Sequence, residues 1–255
     1  MVSVYHGFPF WLQKGRKKNR GKNSGQPNSK YPQVIVTEKE VPEAPSKPIT
    51  VKPFGLPETF DIPEPLMTHE QWRFITRGFD YTRRRMHTKK IGWHITTKET
   101  ASVLADFLRG KKVLEVAAGT GYLAAHMRQL GVEDYTAVDL YVNYWEVSSP
   151  NYGSIVGDAF DHIHTDYQVV VMAWPPYAAP FGMEVVKKLY GKQTLVLQGE
   201  PWGGCTGSDK MFQLLDDHFE YDEELSDRLN DKHIQFDGIH DYWSVYHHVP
   251  KVGQR

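Results

Sequence analysis

The pattern of apolar and polar positions changes sharply along this chain at about residue 60. Residues 12–60 show almost no apolar periodicity and are crowded with Gly, Asn, Ser, Lys and Pro, so this segment cannot bury enough apolar surface to fold alone. Residues 66–109 have helical patterns. We therefore predict a basic, Pro- and Gly-rich extended arm over residues 1–60, a helical lead-in over 61–110 and an α/β domain over 111–255.

Short apolar runs alternate with amphipathic stretches through the α/β domain. Thr97 can cap the helix that leads into it, and Thr206 or Ser208 can cap a later one. The acidic run 216–227 is typical of a solvated helix face and connector. The predicted strands cover 113–116, 135–140, 169–173 and 192–200, and HIQF at 233–236 is predicted to pair with YWSVYHHV at 242–249 as a hairpin.

Composition excludes some kinds of site. The 255 residues, 40% of them hydrophobic, can bury one sizeable core, and the formal net charge is only −1. Cys205 is the only cysteine, so the chain alone can form neither a disulfide nor a cysteine-based zinc site. With no long apolar run and no leader pattern, we expect a soluble, cytoplasmic protein that does not enter a membrane.

The arm is strongly basic although the whole chain is nearly neutral. No acid occurs before Glu38, so the arm suits phosphate groups, and we predict nucleic acid as its partner. A protein partner that orders the arm and a solvated tail without a dedicated partner are the alternatives. The basic residues concerned are Lys14, Arg16, Lys17, Lys18, Arg20 and Lys22, with Arg83, Arg84 and Arg85 as a second cluster.

A glycine-rich turn and a later acid indicate a nucleoside-bearing cofactor. Gly119 and Gly121 let the backbone approach a ligand closely, and the amides of the following helix favour polar or negative atoms. Asp139, eighteen residues after Gly121, ends the next predicted strand, where a carboxylate can accept both ribose hydroxyls. Because Ala124 completes a dinucleotide-binding pattern, the turn alone does not identify the cofactor.

Three further features favour a cofactor other than a nicotinamide. Glu115 lies inside the first strand, Asp158 follows a further short strand in GDAF, and the fourth strand ends in Pro-Pro-Tyr. In this combination residues 90–249 resemble the class I methyltransferases that use S-adenosylmethionine. The resemblance implies a doubly wound, Rossmann-like α/β sheet of seven strands with a final antiparallel hairpin, S-adenosylmethionine as cofactor and no metal.

The resemblance also implies a set of cofactor-binding residues. Ala117 stands where the family usually has its first glycine, Asp139 matches the ribose acid and Asp158 matches the acid at the adenine edge. Capping of the next helix is the alternative for both acids, and core packing is the alternative for Trp93. The full set is Trp93, Glu115, Ala117, Gly119, Gly121, Asp139, Leu140, Asp158, Ala159 and Ala173.

Trp174-Pro175-Pro176-Tyr177 resembles the Asn/Asp-Pro-Pro-Tyr loop of methyltransferases that modify exocyclic amines. In that loop the Asn or Asp side chain and a carbonyl held by the prolines accept the amine hydrogens, and the Tyr stacks on the planar substrate. An indole donates a hydrogen bond but never accepts one, so Trp174 cannot supply the side-chain acceptor of this loop. The carbonyl of Pro175 can still accept, and the ring of Tyr177 can still stack. A stiff exit from the strand is the alternative. The Trp-Pro-Pro-Tyr form also resembles that of a group of bacterial, fungal and viral proteins, which implies no substrate.

In the family that this chain resembles, the loops at the carboxyl ends of the parallel strands and the turn of the last hairpin lie on one face of the sheet. The resemblance thus implies that Glu200, Trp202, His240 and Asp241 lie near Trp174. His240 is the candidate proton acceptor or, alternatively, a turn residue bonded to its own loop. We predict methyl transfer to an amine or planar group on nucleic acid or protein. The alternative is a binding or structural component with this fold and little catalysis, attached through its arm. The candidate catalytic residues are Trp174, Pro175, Pro176, Tyr177 and His240.

Overall fold

The computed structural model describes residues 61–76, 81–140, 150–164, 166–189 and 191–249. All of them belong to one compact unit that extends over Ile49–Arg255. The predicted arm, with its basic residues from Lys14 to Lys22, lies outside the described residues. The predicted divisions at residues 60 and 110 therefore stay predictions.

A single sheet of seven strands forms the centre of the fold. The strands are β1 Val113–Val116, β2 Tyr135–Asp139, β3 Ser154–Val156, β4 Val169–Ala173, β5 Thr194–Gly199, β6 Phe219–Tyr221 and β7 Tyr242–His248. Their order is β3-β2-β1-β4-β5-β7-β6. Strands β1 to β5 run parallel, and β7 is antiparallel to both β5 and β6. The predicted doubly wound sheet of seven strands with a final antiparallel pair is confirmed.

Seven α-helices surround the sheet in the described part of the chain. They are α1 His69–Thr76, α2 Tyr81–Lys90, α3 Lys98–Leu108, α4 Tyr122–Gln129, α5 Phe181–Lys188, α6 Asp209–His218 and α7 Glu223–Asn230. Among these described segments none is both long and apolar enough to cross a bilayer, because the longest, α3, has 11 residues and a span needs about 20.

Alternation along the central strands divides the core into two layers. In β4, Val169 and Val171 pack with α3, α4 and α7, whereas Val170 and Met172 pack with α5 and α6. All five residues of β4 are buried and apolar. A strand needs such a continuous apolar sequence when helices cover both faces of its sheet. Each such fully buried side chain stabilises the fold by about 1.5–3 kcal/mol.

Side-chain caps set the starts of two helices where the sequence predicts them. Thr97 caps α3 by accepting from the amide of Thr100 at 3.0 Å. Ser208, rather than Thr206, caps α6 by accepting from the amide of Met211 at 3.3 Å. Thr206 instead donates to the carbonyl of Glu200 at 2.6 Å, which fixes the loop after β5.

The predicted partner of the last strand is wrong. Residues 233–236 form no strand, and β7 pairs instead with β6, which lies inside the acidic run together with the end of α6 and the start of α7. The alternating Ile234 and Phe236 look like a strand, but they pack on Trp72 and Ile95 away from the sheet. Alternation alone does not say which surface the apolar side chains meet.

Candidate active site

The predicted site residues gather at the carboxyl edge of the parallel strands. From β1 the chain builds outward to β3 and then returns to β4 on the other side of β1, so the strand order reverses between β1 and β4. In open α/β sheets ligands bind in the crevice at such a reversal. The turn after β1 and the residues that follow β2, β3 and β4 all lie along this edge.

The turn between β1 and α4 contains three residues in the left-handed conformation. Ala117 has φ 53°, Gly119 has φ 55° and Gly121 has φ 77°. A Cβ on Gly121 would lie 2.7 Å from the backbone nitrogen of Ser154, so the close packing against β3 requires glycine there. Ala117 adopts this conformation at a cost of about 1–2 kcal/mol, which explains why its position favours glycine.

Asp139 binds the glycine turn directly. Its Oδ2 accepts from the backbone amide of Gly119 at 2.9 Å, which joins the end of β2 to the turn after β1. A carboxylate can accept about four hydrogen bonds, so this contact does not exhaust it. Leu140, which follows, is exposed, and residues 141–149 lie outside the described residues. The capping alternative for Asp139 therefore lies outside the described residues.

Asp158 caps the short 3₁₀-helix Ala159–Asp161 by accepting from the amide of Phe160 at 2.9 Å. The capping alternative is thus observed for this acid. Asp158 is nevertheless exposed, and Ala159 is buried behind it. Its predicted contact with adenine stays a prediction.

Glu115 lies in β1 behind the turn and is completely buried. Burial raises the pKa of its carboxyl to about 8, although the Tyr135 hydroxyl, which donates to Oε2 at 3.1 Å, the nearby Arg128 and the amide of Ala124 favour the charged form. These contacts connect β1, β2 and the first turn of α4. Glu115 therefore supports the turn from inside the fold.

The Trp-Pro-Pro-Tyr loop leaves β4 in a strained conformation. Trp174 has φ 54°, an uncommon value for a bulky side chain, and its amide donates to the carbonyl of Gln198 at 2.7 Å. The Pro175 carbonyl accepts from the amide of Gly207 at 3.1 Å. Pro175 and Ala173 are buried, whereas Pro176 and Tyr177 are exposed. The loop after β5 thus holds the loop after β4, and Tyr177 presents its ring outward.

The Trp174 indole lies in a network that the sequence predicts only in part. Its Nε1 donates to Oδ2 of the buried Asp241 at 3.3 Å, and Nε2 of Gln198 donates to the same oxygen. Its ring stacks on Trp93 with the ring centroids 5.7 Å apart, and the Arg84 guanidinium lies 4.7 Å from the Trp93 centroid. The predicted proximity of Asp241 and Trp174 is confirmed.

Glu200 joins two loops beside this network. Its Oε1 accepts from the backbone amide of His240 at 3.0 Å and its Oε2 from the amide of Cys205 at 2.6 Å. Glu200 therefore binds the main chain of His240 and not its ring, which is exposed. Trp202 lies farther out, 47% exposed, with its ring against Phe212.

Sequence reasoning missed three buried polar residues near Asp241. Gln198 follows the apolar run Leu195–Leu197 inside the buried strand β5, and a polar residue at that point is the signal that could have found it. His233 was assigned to a strand that does not form. The third residue, His94, is buried, and burial with the neighbouring His87 lowers its pKa to about 3 against the opposing effect of Asp241. Across the described ranges no cluster of His, Cys, Asp or Glu is arranged to hold a metal ion.

Solved structures with a similar chain path include methyltransferases. The magnesium protoporphyrin IX methyltransferase from Synechocystis PCC 6803, solved with bound SAM, is 13% identical with a TM-score of 0.40, over 71% of this chain and 90% of that one. An SAM-dependent O-methyltransferase from Thermotoga maritima is 12% identical with a TM-score of 0.41, over 68% and 72% of the two chains. The ribosomal protein L11 methylase from Lactobacillus delbrueckii subsp. bulgaricus is 12% identical with a TM-score of 0.38, over 59% and 78%.

No family model and no curated protein matches this chain. At the identities and TM-scores of the solved structures the likeness assigns no function. The fold follows instead from the strand order and register of the sheet itself.

Proposed function

We propose that this chain binds S-adenosylmethionine at the carboxyl ends of β1, β2 and β3 and transfers the methyl group to an amine or other planar group on nucleic acid or protein. The observation that carries the proposal is the hydrogen bond from Gly119 to Asp139 at the reversal of strand order. It brings a close-approach turn and a carboxylate together at the place where open α/β sheets bind nucleosides.

The residues at this edge fit the chemistry of the cofactor. The small residues of the turn let the backbone approach a ligand closely, and Asp139 is an acceptor for ribose hydroxyls. Asp158, exposed at the end of β3, is an acceptor for an exocyclic amine. Ala117, Ala159 and Ala173 add little bulk along the same edge.

When bound, the cofactor supplies an activated sulfonium methyl: the methyl carbon bonds to the acceptor atom and the carbon–sulfur bond breaks with its electron pair going to sulfur. The protein contributes alignment and exclusion of water. The exposed Tyr177 offers a face on which a planar acceptor can stack, and the stacked Trp174 and Trp93 rings add apolar surface at the start of the same loop.

Basic residues on α2 support nucleic acid as the carrier of the acceptor. Helix α2, YTRRRMHTKK, contains five Lys or Arg residues and no acid. Arg84 lies over the Trp93 ring and within 6.0 Å of the Trp174 centroid, so this charge is close to the loop after β4. The arm from Lys14 to Lys22 would extend the same preference for phosphate.

The test is transfer of a radiolabelled methyl group to separated nucleic acid and protein fractions. We expect label in one fraction, a loss of transfer in Asp139→Ala and a smaller loss in Asp139→Asn, which keeps an acceptor for the Gly119 amide. Asp134→Asn, an exposed acid at the opposite end of β2, is the matched control. Label in protein alone would exclude nucleic acid as the acceptor.

Two further results would count against methyl transfer by this chain. Cofactor binding without any transfer would favour a binding or structural component with this fold. A wild-type chain that neither binds the cofactor nor transfers label would overturn the proposal.

A further inference from the structure

We propose that the atom which this chain methylates is a ring nitrogen of a nucleobase and not an exocyclic amine. This inference rests on the proposed function and deepens it, because it names the acceptor atom at the loop after β4. The hydrogen bonds of Trp174 and Pro175 carry it, since they leave the loop without the two acceptors that an amine requires.

An exocyclic amine on a heteroaromatic ring is a weak nucleophile, because its lone pair is delocalised into the ring. A site that methylates such an amine must accept both of its hydrogens, which turns the lone pair out of conjugation and toward the methyl group. In the Asn/Asp-Pro-Pro-Tyr loop the two acceptors are the first side chain and a carbonyl held by the prolines. An amine therefore requires both groups at the loop after β4.

The first position of the loop offers only a donor, and that donor is already bound. Nε1 of Trp174 donates to Oδ2 of Asp241 at 3.3 Å, and an indole has no hydrogen-bond acceptor. Asp241 does not replace the missing acceptor, because the residue is only 2% exposed. The Trp174 ring stacks on Trp93 with the centroids 5.7 Å apart. This side chain thus contributes apolar surface and no hydrogen bond to an amine.

The second acceptor is directed toward the loop after β5. The carbonyl of Pro175 accepts from the amide of Gly207 at 3.1 Å, and the carbonyl of Gly207 accepts from the amide of Ala178 at 2.8 Å. A Cβ on Gly207 would lie 2.5 Å from the Cε of Met211, and its φ of 62° also favours glycine, so this two-bond bridge depends on the residue that stands there. The buried Pro175 therefore directs its carbonyl to the protein itself and not to an amine.

The loop does present an aromatic face. Tyr177 is 58% exposed, and a ring of this kind can stack on any nucleobase, because every base has a π-face. A pyridine-type ring nitrogen keeps its lone pair in the plane of the base, outside the π system, where it serves directly as an acceptor. Such an atom needs only stacking and alignment from the loop, and Tyr177 can supply both.

Methylation of a ring nitrogen also requires no proton acceptor. The lone pair of the nitrogen forms the bond to the methyl carbon, the carbon–sulfur bond breaks with its electron pair going to sulfur, and the positive charge passes from sulfur to the base. No proton leaves in this step. This balance suits the acids beside the loop, because both carboxylate oxygens of Glu200 accept from backbone amides and Asp241 is buried. The face of Tyr177 also favours a cation above it.

The basic helix α2 favours a nucleobase over other heterocycles that contain such a nitrogen. The helix has five Lys or Arg residues and no acid, and the Arg84 guanidinium lies 6.0 Å from the Trp174 ring centroid. The Cα atoms of Trp174 and Tyr177 are three residues and so at most about 11 Å apart. A phosphate at α2 and a base on Tyr177 can thus belong to one short stretch of a nucleic acid strand.

The first test locates the transferred methyl group. The labelled nucleic acid fraction of the transfer assay with the full chain is digested to nucleosides at neutral pH and compared by mass spectrometry with ring-methylated and amine-methylated standards. We expect the label on a ring nitrogen. Label on an exocyclic amine, or in protein alone, would overturn this inference and leave methyl transfer by the chain intact. Absence of label from every fraction would overturn the proposed function and this inference together.

The second test restores the missing side-chain acceptor. Trp174→Asn supplies one at a left-handed position that Asn tolerates, whereas Trp174→Phe keeps an apolar ring without one. Because a ring nitrogen gains nothing from the acceptor, we expect kcat/KM to fall at least about tenfold in Trp174→Asn and less in Trp174→Phe. An increase in transfer to the wild-type acceptor in Trp174→Asn would show that this acceptor needs the hydrogen bond, and it would contradict the inference.

The control for this substitution is an exposed aromatic residue far from the loop. Tyr221 lies opposite Tyr246, which pairs with Leu195 near the amino end of β5. Tyr221→Asn should change kcat/KM by no more than about twofold. Affinity for S-adenosylhomocysteine, measured in every variant, separates a folding defect from a change in transfer.

Discussion

The two halves of the carboxyl edge differ in how far along the chain their contacts reach. In the cofactor half, formed by β1 to β3, Gly119 and Asp139 are 20 residues apart and Asp158 bonds to an amide two residues away. In the acceptor half, formed by β4, β5 and β7, Trp174 is 67 residues from Asp241. The first half is therefore built by one local strand–turn–helix–strand unit, and the second forms only when the last strand joins the sheet.

Buried polar atoms without a hydrogen bond occur in both halves, and the acceptor half has more of them. In the described part of the chain they are Oε1 of Gln198, Oδ1 of Asp241, Nδ1 of His233 and Nε1 of Trp243 in the acceptor half, and Oγ of Ser154 and Nε2 of His126 in the cofactor half. Unpaired buried groups cost stability. The acceptor half therefore carries the larger cost.

The largest expected effect comes from breaking the acceptor half at its centre. Asp241→Ala leaves donors on Trp174 and Gln198 without their acceptor, and we expect the free energy of unfolding to fall by about 2–5 kcal/mol in urea denaturation. Asp241→Asn keeps one acceptor and should lose less. Asp237→Ala, an exposed acid in the same loop, is the control and should change stability by less than about 0.5 kcal/mol. Equal losses in the Asp241→Ala and Asp237→Ala variants would show that the network contributes nothing to the fold.

A smaller effect concerns the carboxyl that supports the cofactor half. The pKa of Glu115 is about 8 in the folded chain and near 4.5 when unfolded, so the folded state binds its proton more tightly. Stability should therefore fall as the pH rises from about 4.5 to 8, by at most about 1.4 kcal/mol per unit. Measurement between pH 6.5 and 8 avoids His94, whose lowered pKa of about 3 acts only below 6.5.

Thermal and urea unfolding across that window should show a decrease of about 2 kcal/mol in the wild type and almost none in Glu115→Gln. Glu133→Gln, an exposed acid before β2, should follow the wild type. A Glu115→Gln variant with the wild-type pH dependence would place the titrating group elsewhere.

The smallest expected effect comes from relieving backbone strain at one residue in each half. Ala117→Gly and Ala178→Gly each relieve a left-handed alanine, with φ 53° and 54°, so each should raise the free energy of unfolding by about 0.5–1 kcal/mol. Ala125→Gly, inside the regular helix α4, should lower it by about 1 kcal/mol. A loss of stability in Ala117→Gly, of the size seen in Ala125→Gly, would mean that the turn is not strained.

Sequence reasoning succeeded where neighbours in the chain determine the structure. The apolar run of β1, the glycines of the turn and the cap at Thr97 are local signals, and each element appears close to where it is predicted. It failed over 233–236, since the alternation of Ile234 and Phe236 fits a sheet as well as the surface of Trp72 that they actually cover. His233 was missed with that error, because it bonds to the carbonyl of Asp241 in the loop before β7 and does not pair with a strand.

The most direct test of the central claim is calorimetric titration of the full chain with S-adenosylhomocysteine. We expect saturable binding of one ligand per chain, weakened at least about tenfold in Asp139→Ala through lost hydrogen bonds to the carboxylate, and unchanged in Asp134→Ala. Asp139→Asn, which can still accept from Gly119, should lie between them. No binding by the wild type, or equal affinity in the wild type and Asp139→Ala, would contradict the claim that the turn after β1 and the end of β2 form the cofactor site.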